Sequence, residues 1–188
     1  MVRAYDGRAV EPAVVDRVLD AGRRAPSAGN SQGLDLVVLT GREETARYWD
    51  VALPTGPARD GFRWQGLLPA PVLVLPVVAP AAYAARYAEG DKAATGLGAV
   101  EAWPVPYWFV DGGMAVDAML LAAAEGGLGA LFFGLFERER VVLDALGVPG
   151  DRRGLGVVAL GHPAPDEPGR SAGRPRRALD EVVHRGGW

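Results

Sequence analysis

The stretch Ala21-Gly22-Arg23-Arg24-Ala25-Pro26-Ser27-Ala28-Gly29-Asn30-Ser31-Gln32 (AGRRAPSAGNSQ) reads as the end of a helix, a tight turn and the approach to a strand. Upstream, Val14, Val15, Val18, Leu19 and Gly22 keep helical spacing, with Asp16, Arg17, Asp20 and Arg23 on the opposite side. Pro12 suits a first helical turn, so the pattern predicts an amphipathic helix over 12–25. Pro26 and the small polar residues after it end the helix and form a turn. Downstream, Leu34–Thr40 (LDLVVLT) is β-branched and bounded by Gly33 and Gly41, which predicts a strand.

Val72–Val78 (VLVLPVV) predicts a second, buried strand. Pro76 cannot donate to a ladder, so an edge or a bulge is expected there. Between the two strands, residues 42–69 predict a short helix followed by loops. Ala81–Ala88 predicts another short helix, and residues 89–109 read as irregular. Asp111 is expected to be the N-cap of a helix running to about Glu125, before Gly126-Gly127. Between Gly113 and Glu125 the only charge is Asp117. A helix that apolar needs cover on nearly all sides, and a partner subunit is expected to supply part of it. Leu128–Phe133 predicts a strand, Glu137–Leu146 a helix and Leu155–Leu160 a final strand. The tail from His162 is rich in Pro, Gly and Arg.

The 188 residues fit a single domain over 1–188, with 169–188 as a C-terminal tail. A formal net charge of −3 gives no positive field to gather phosphates, so nucleic-acid binding is not expected. No cysteine is present, which removes disulfides, thiolate nucleophiles and sulfur-ligated metals. No apolar run reaches the ~20 residues that span a bilayer, and the start carries no hydrophobic signal. A soluble, cytoplasmic protein without membrane association is the simplest expectation. The two histidines, His162 and His184, lie in the tail and are too few for a triad or a histidine metal site. No carboxylate pair stands out for acid–base work. Neither Gly96-Leu97-Gly98 nor Gly126-Gly127-Leu128-Gly129 has the strand–loop–helix context of a dinucleotide loop. Side chains this poor in chemistry suit either a cofactor enzyme, with no catalytic side chain of its own, or a binding module.

The segment Ala21–Gln32 resembles the nitroreductase family closely, and four weaker features follow in the family's order. Arg3-Ala4-Tyr5 resembles its basic-x-aromatic start, and Asp111–Leu128 its long central dimer helix. Ala130–Gly134 resembles the strand-to-glycine turn beside the flavin. Val157–Gly161 followed by Arg174-x-Arg176 resembles its end. The resemblance implies an α+β fold with a mostly antiparallel sheet flanked by helices, dimeric through the central helix. It implies a homodimeric oxidoreductase with two FMN sites at the interface. Hydride would pass from NAD(P)H to a small-molecule acceptor such as a nitroaromatic, quinone or enone by ping-pong transfer.

Carried over residue by residue, Pro26, Ser27, Ala28, Asn30 and Gln32 would lie along the isoalloxazine. Arg3 would sit near its pyrimidine edge, and the backbone N–H groups near Phe133 and Gly134 at flavin N5. Arg174 and Arg176 would hold the phosphate, with Arg177 beside them. Trp103, Tyr107 and Trp108, with Phe109, would line the substrate face or pack at the dimer interface. Two departures stand out. The family's basic-basic-Ser stretch before Arg3 is missing, so either the start lies upstream or phosphate binding is weaker. Gly33-Leu34 replace the usual Pro-Trp. Two alternatives stay open: the same fold with a deazaflavin donor or acting as a natural-product dehydrogenase or oxidase, and a non-catalytic flavin-binding protein.

Overall fold

The computed structural model describes residues 1–167, 169 and 172–188, so Arg170 and Ser171 of the expected tail lie outside the described residues. One antiparallel sheet organises the fold. Its strands are β1 (Leu34–Thr40), β2 (Val72–Val78), β3 (Gly129–Phe133), the two-residue β4 (Arg153–Gly154) and β5 (Val157–Gly161). The order is β1-β2-β5-β3, with β4 pairing to the end of β2. β1 and β2 run in full register from Leu34↔Val78 to Thr40↔Val72, the bounds their sequence patterns predict.

The helices are α1 (Pro12–Arg23), α2 (Gly41–Ala52), the single-turn α3 (Pro57–Asp60), α4 (Pro80–Tyr87), α5 (Tyr107–Glu125) and α6 (Glu139–Ala145). Every residue of β2 is buried. The period-2 pleat sends its side chains to two cores. Val72 and Val74 join Val158 and Leu160 against Val15, Val18, Val116 and Met119 of α1 and α5. Leu73 and Leu75 join Val157 and Ala159 against Tyr48, Trp49 and Val142 of α2 and α6. A strand covered on both faces reads as a continuous apolar run, which is why VLVLPVV shows no alternation.

Four expectations are resolved or corrected. Of the edge or bulge expected at Pro76, the structure shows the bulge: β2 is flanked on both sides, and three residues, Leu155, Gly156 and Val157, stand opposite Leu75 and Pro76 between the pairs Val74↔Val158 and Val77↔Gly154. The Pro76 carbonyl accepts from Leu155 N–H at 3.0 Å, so the missing proline donor faces the same side. There the pairing passes from β5 (Val72–Val74) to β4 (Val77–Val78), and the interruption removes the need for a donor. Next, Asp111 is not an N-cap. The helix starts one turn earlier at Tyr107, after Pro106, and Asp111 is buried inside it. Packing of Trp108 against Tyr83 and Trp103 draws that first turn into the core. Third, residues 89–109 contain short 3₁₀ turns at Ala93–Thr95 and Val100–Ala102. Fourth, α6 begins at Glu139, after a 3₁₀ turn at Phe136–Arg138, and β4 had no sequence signal at two residues.

By length and composition α5 is, among the described residues, one helix long and apolar enough to cross a membrane, contrary to the run-length expectation. Here its Ala115, Val116, Met119 and Ala123 pack against α1 and the sheet. The other side stays uncovered within the chain: Val110 is 44%, Met114 40% and Leu121 65% exposed.

Candidate active site

The Pro26–Gln32 turn is built from unusual backbone. Gly29, Asn30 and Gln32 have φ of 60°, 57° and 49°. Glycine adopts that region freely and asparagine tolerates it, whereas a left-handed glutamine costs on the order of 1 kcal/mol or more. Local hydrogen bonds hold the shape: Ser31 Oγ donates to Ala28 O at 2.6 Å, and Gln32 N–H donates to Ser27 Oγ at 3.0 Å. Helix α4 clamps the turn from outside. Arg86 Nε donates to Gly29 O at 2.9 Å, and a Cβ on Gly29 would fall 2.7 Å from the Tyr87 ring. At Gly33 a Cβ would fall 2.7 Å from the Tyr83 ring, so the Pro-Trp expected from the resemblance gives way here to close backbone packing.

Behind the turn sits Asp111, 5% exposed. One carboxylate oxygen, Oδ2, accepts both Ala28 N–H at 2.8 Å and Tyr83 O–H at 2.9 Å. The Asp111 side chain has no salt-bridge partner among the described residues. Burial, reinforced by the hydrogen bond to Asp111, pushes the Tyr83 phenol well above its usual range, so the tyrosine stays a donor. Sequence reading missed both residues. A lone Asp at the head of an apolar helix carries the same signal whether it caps the helix or points inward.

The turn, the end of α1, the start of β1 and the second turn of α5 enclose a cleft of about 690 Å³. Ser27, Asn30, Gln32, Tyr83, Asp111 and Gly112 are among its lining residues. Its volume falls in the range of small-molecule sites, about 300–1,000 Å³. On its α1 rim, hydrogen bonds from Arg23 and Arg24 hold the Asp20 carboxyl below the usual carboxylate range.

The remaining predicted residues fall elsewhere. Val2 N–H donates to Ala130 O at 3.0 Å, which lays the N-terminal segment along β3. Arg3 therefore sits near the strand that ends at Phe133, with its N–H on Asp166 Oδ2 at 3.0 Å. Phe133 stacks on Trp49 at 6.0 Å and 7°. A Cβ on Gly134 would fall 3.0 Å from the Phe136 ring, and Phe136 itself is 88% exposed with φ of 47°. Arg174 and Arg176 are exposed, as is Arg177, which pairs with Glu181. Trp103 and Trp108 are buried with Tyr83, and Trp103 Nε1 donates to Leu97 O at 3.0 Å. Tyr107 alone of the three is exposed, at 44%.

The structure thus separates the predicted flavin-ring contacts into two groups. Ser27–Gln32 feeds β1, and Arg3, Phe133 and Gly134 accompany β3, which are opposite edges of the sheet. Three strand spacings separate those edges, about 14 Å.

A model of the nitroreductase family matches residues 1–162. A protein of Archaeoglobus fulgidus provisionally named NADH dehydrogenase/NAD(P)H nitroreductase is 24% identical over 190 residues, covering 100% of this chain and 92% of that protein. Among solved structures, a provisionally named nitroreductase of Desulfovibrio desulfuricans in complex with FMN superposes with a TM-score of 0.70 at 24% identity, covering 100% of this chain and 91% of that one. The oxidoreductase YcnD of Bacillus subtilis, described as hypothetical, gives 0.71 at 22% identity, covering 100% and 70%. At these identities the structural likenesses establish the fold.

Proposed function

Because the chain belongs to the nitroreductase family, we propose that it is an FMN-dependent oxidoreductase passing hydride from NAD(P)H to a small organic acceptor such as a nitroaromatic, quinone or enone. The observation that carries the reading is the strained Ser27–Gln32 turn opening on a 690 Å³ cleft. Strained backbone persists where surrounding structure over-determines it, and it concentrates at ligand clamps.

The residues present fit FMN. Small residues at Ala25, Ser27, Gly33 and Gly112 let backbone approach a flat ring, and Asn30 and Gln32 supply amide donors and acceptors at the cleft wall. Pro26 and Ala28 complete that wall in this reading. At the other sheet edge, Arg3 supplies positive charge for the pyrimidine side. The Phe133 and Gly134 backbone supplies N–H groups, and Arg174 and Arg176 supply charge-assisted donors for a phosphate. The chemistry FMN supplies when bound is hydride transfer, taken from the nicotinamide and given to the acceptor in two separate half-reactions. The chain's part is binding and orientation. Asp111 and Tyr83 hold the turn in place, and Tyr107 is the exposed aromatic of the Trp103, Tyr107 and Trp108 group, available to an acceptor.

The two groups lie at opposite edges of the sheet of one chain. A homodimer would bring them to one flavin, with the Ser27–Gln32 wall of one copy facing the Arg3–Gly134 edge of the other. The uncovered apolar side of α5, with Leu121 65% exposed, is the surface that self-association would bury.

The test is the visible spectrum of the purified protein before and after anaerobic addition of NADPH or NADH. A yellow protein that bleaches is the expected result. A yellow protein that resists both nicotinamides would redirect the donor assignment to a deazaflavin or an oxidisable substrate. A colourless protein that FMN cannot reconstitute would overturn the reading.

A further inference from the structure

Turning over the peptide that joins Gly29 to Asn30 would relieve strain at the cleft wall. Gly29 has φ 60° and ψ 15°, and Asn30 has φ 57°. A peptide flip changes the ψ of the first residue and the φ of the second by about 180°, which takes Asn30 out of the positive-φ region and leaves Gly29 in a conformation open to glycine. The residue types therefore permit the flip, and Asn30 gains from it. Asn30 lines the cleft, so the flip would also re-aim its side chain.

Two hydrogen bonds oppose the flip. Asn30 N–H donates to Ser27 O at 2.8 Å, within the turn. From outside, Arg86 Nε donates to Gly29 O at 2.9 Å. The Arg86 guanidinium is itself held. Nη1 and Nη2 meet the Asp91 carboxylate as a fork, at 2.7 and 2.8 Å, and Nη1 reaches Glu89 Oε2 at 3.2 Å. Asp91 sits in a turn where Lys92 N–H and Ala93 N–H both donate to Glu89 O at 2.8 Å. Single surface ion pairs contribute little, but a bidentate fork on a side chain only 23% exposed fixes the orientation of a guanidinium. A flipped peptide would point the Asn30 N–H at that cation, donor against donor. We propose that Arg86 is a positioning residue of the flavin wall: with Asp91 behind it, Arg86 holds the Gly29–Asn30 peptide against this flip and keeps Asn30 aimed at the ring. This rests on the FMN reading above.

The experiment compares full-length wild type, Arg86→Ala, Arg86→Lys, Asp91→Asn and the Arg86→Ala, Asp91→Asn double variant. FMN affinity is followed by flavin fluorescence and the bound flavin by its visible absorption band. Hydrogen exchange follows the Asn30 amide in the flavin-free protein. Arg86→Ala is expected to weaken FMN binding about tenfold, equivalent to about 1.4 kcal/mol, to shift the visible band and to speed Asn30 exchange. Arg86→Lys keeps the charge without the fork and falls between. Asp91→Asn weakens binding by a smaller factor and adds nothing in the Arg86→Ala background, because it acts through Arg86. Should Arg86→Ala fail to fold, Arg86→Lys and Asp91→Asn carry the same readouts. A lower unfolding midpoint with affinity, band and exchange all unchanged would make Arg86 a structural contact and overturn the proposal while the FMN reading stands. Faster exchange with wild-type affinity would overturn its role at the flavin. If wild type binds no FMN, the FMN reading fails and the flavin-wall role with it, whereas Asn30 exchange still reports the flip.

Discussion

At Asp111 one carboxylate oxygen satisfies a backbone N–H of the Ser27–Gln32 turn and the Tyr83 hydroxyl together. Burial makes that arrangement unforgiving, because removing the acceptor leaves two buried donors without partners. Asp111→Ala is expected to lower stability by about 2–3 kcal/mol in urea unfolding. Asp111→Asn keeps an acceptor oxygen and should cost about 1 kcal/mol. Equal losses in the two variants would show that the carboxylate's charge, not its acceptor geometry, matters. This residue is also where sequence reading failed. Position and type pointed to an N-cap, and nothing local distinguishes a cap from an inward-facing acceptor. The partners that decide it, Ala28 and Tyr83, are 83 and 28 residues away.

Among elements, β4 depends on side-chain anchoring. Its two residues pair with Val77 and Val78, too few to persist on backbone bonds alone. Glu139, in the first turn of α6, accepts Arg153 Nε at 2.8 Å and Gly154 N–H at 2.9 Å. The Arg153 hydrogen bond first, and the Gly154 N–H with it, hold the Glu139 carboxyl below its usual range. A carboxyl depressed in the folded state contributes stability that is present above the unfolded value, about 4.3. That stability is lost as pH falls through the folded value. Glu139→Gln is therefore expected to cost about 1 kcal/mol at neutral pH. The gap to wild type should narrow below about pH 4.3 and vanish once the wild-type carboxyl is protonated. A gap that stays constant into strong acid would show that the ion pair contributes nothing. The longer elements needed no such support to be legible. The alternating or continuous apolar runs of β1 and β2 and the 3.6-residue spacing of α1 are backbone periodicities, and burial preserves them in the sequence.

For the whole molecule, the uncovered side of α5 and the division of site residues between opposite sheet edges lead to one expectation. Leu121→Glu places a charge at a position 65% exposed in the single chain, so the protomer's own fold should hardly change. In a homodimer that charge would be buried and unpaired, at several kcal/mol. Sedimentation should then report a 19.8 kDa species, and FMN affinity should fall with the partner's wall. A dimer that survives the substitution, or a monomer that still binds FMN fully, would overturn the two-copy site.

By itself the sequence determined the strand bounds of β1 and β2, the amphipathic α1, the apolar α5 and the Pro26–Gln32 turn, with the family resemblance that the turn carries. All of these are written in neighbouring residues, as spacing, propensity or turn chemistry. Only the tertiary structure decided that Pro76 sits opposite an interruption inside the sheet, that Asp111 points inward, that Trp103 and Trp108 are buried, and that Arg86 reaches the Gly29 carbonyl. It alone separated the predicted flavin-ring contacts into two groups. Each of these depends on which distant segments the sheet brings together, and contacts across tens of residues leave no periodic trace in the chain.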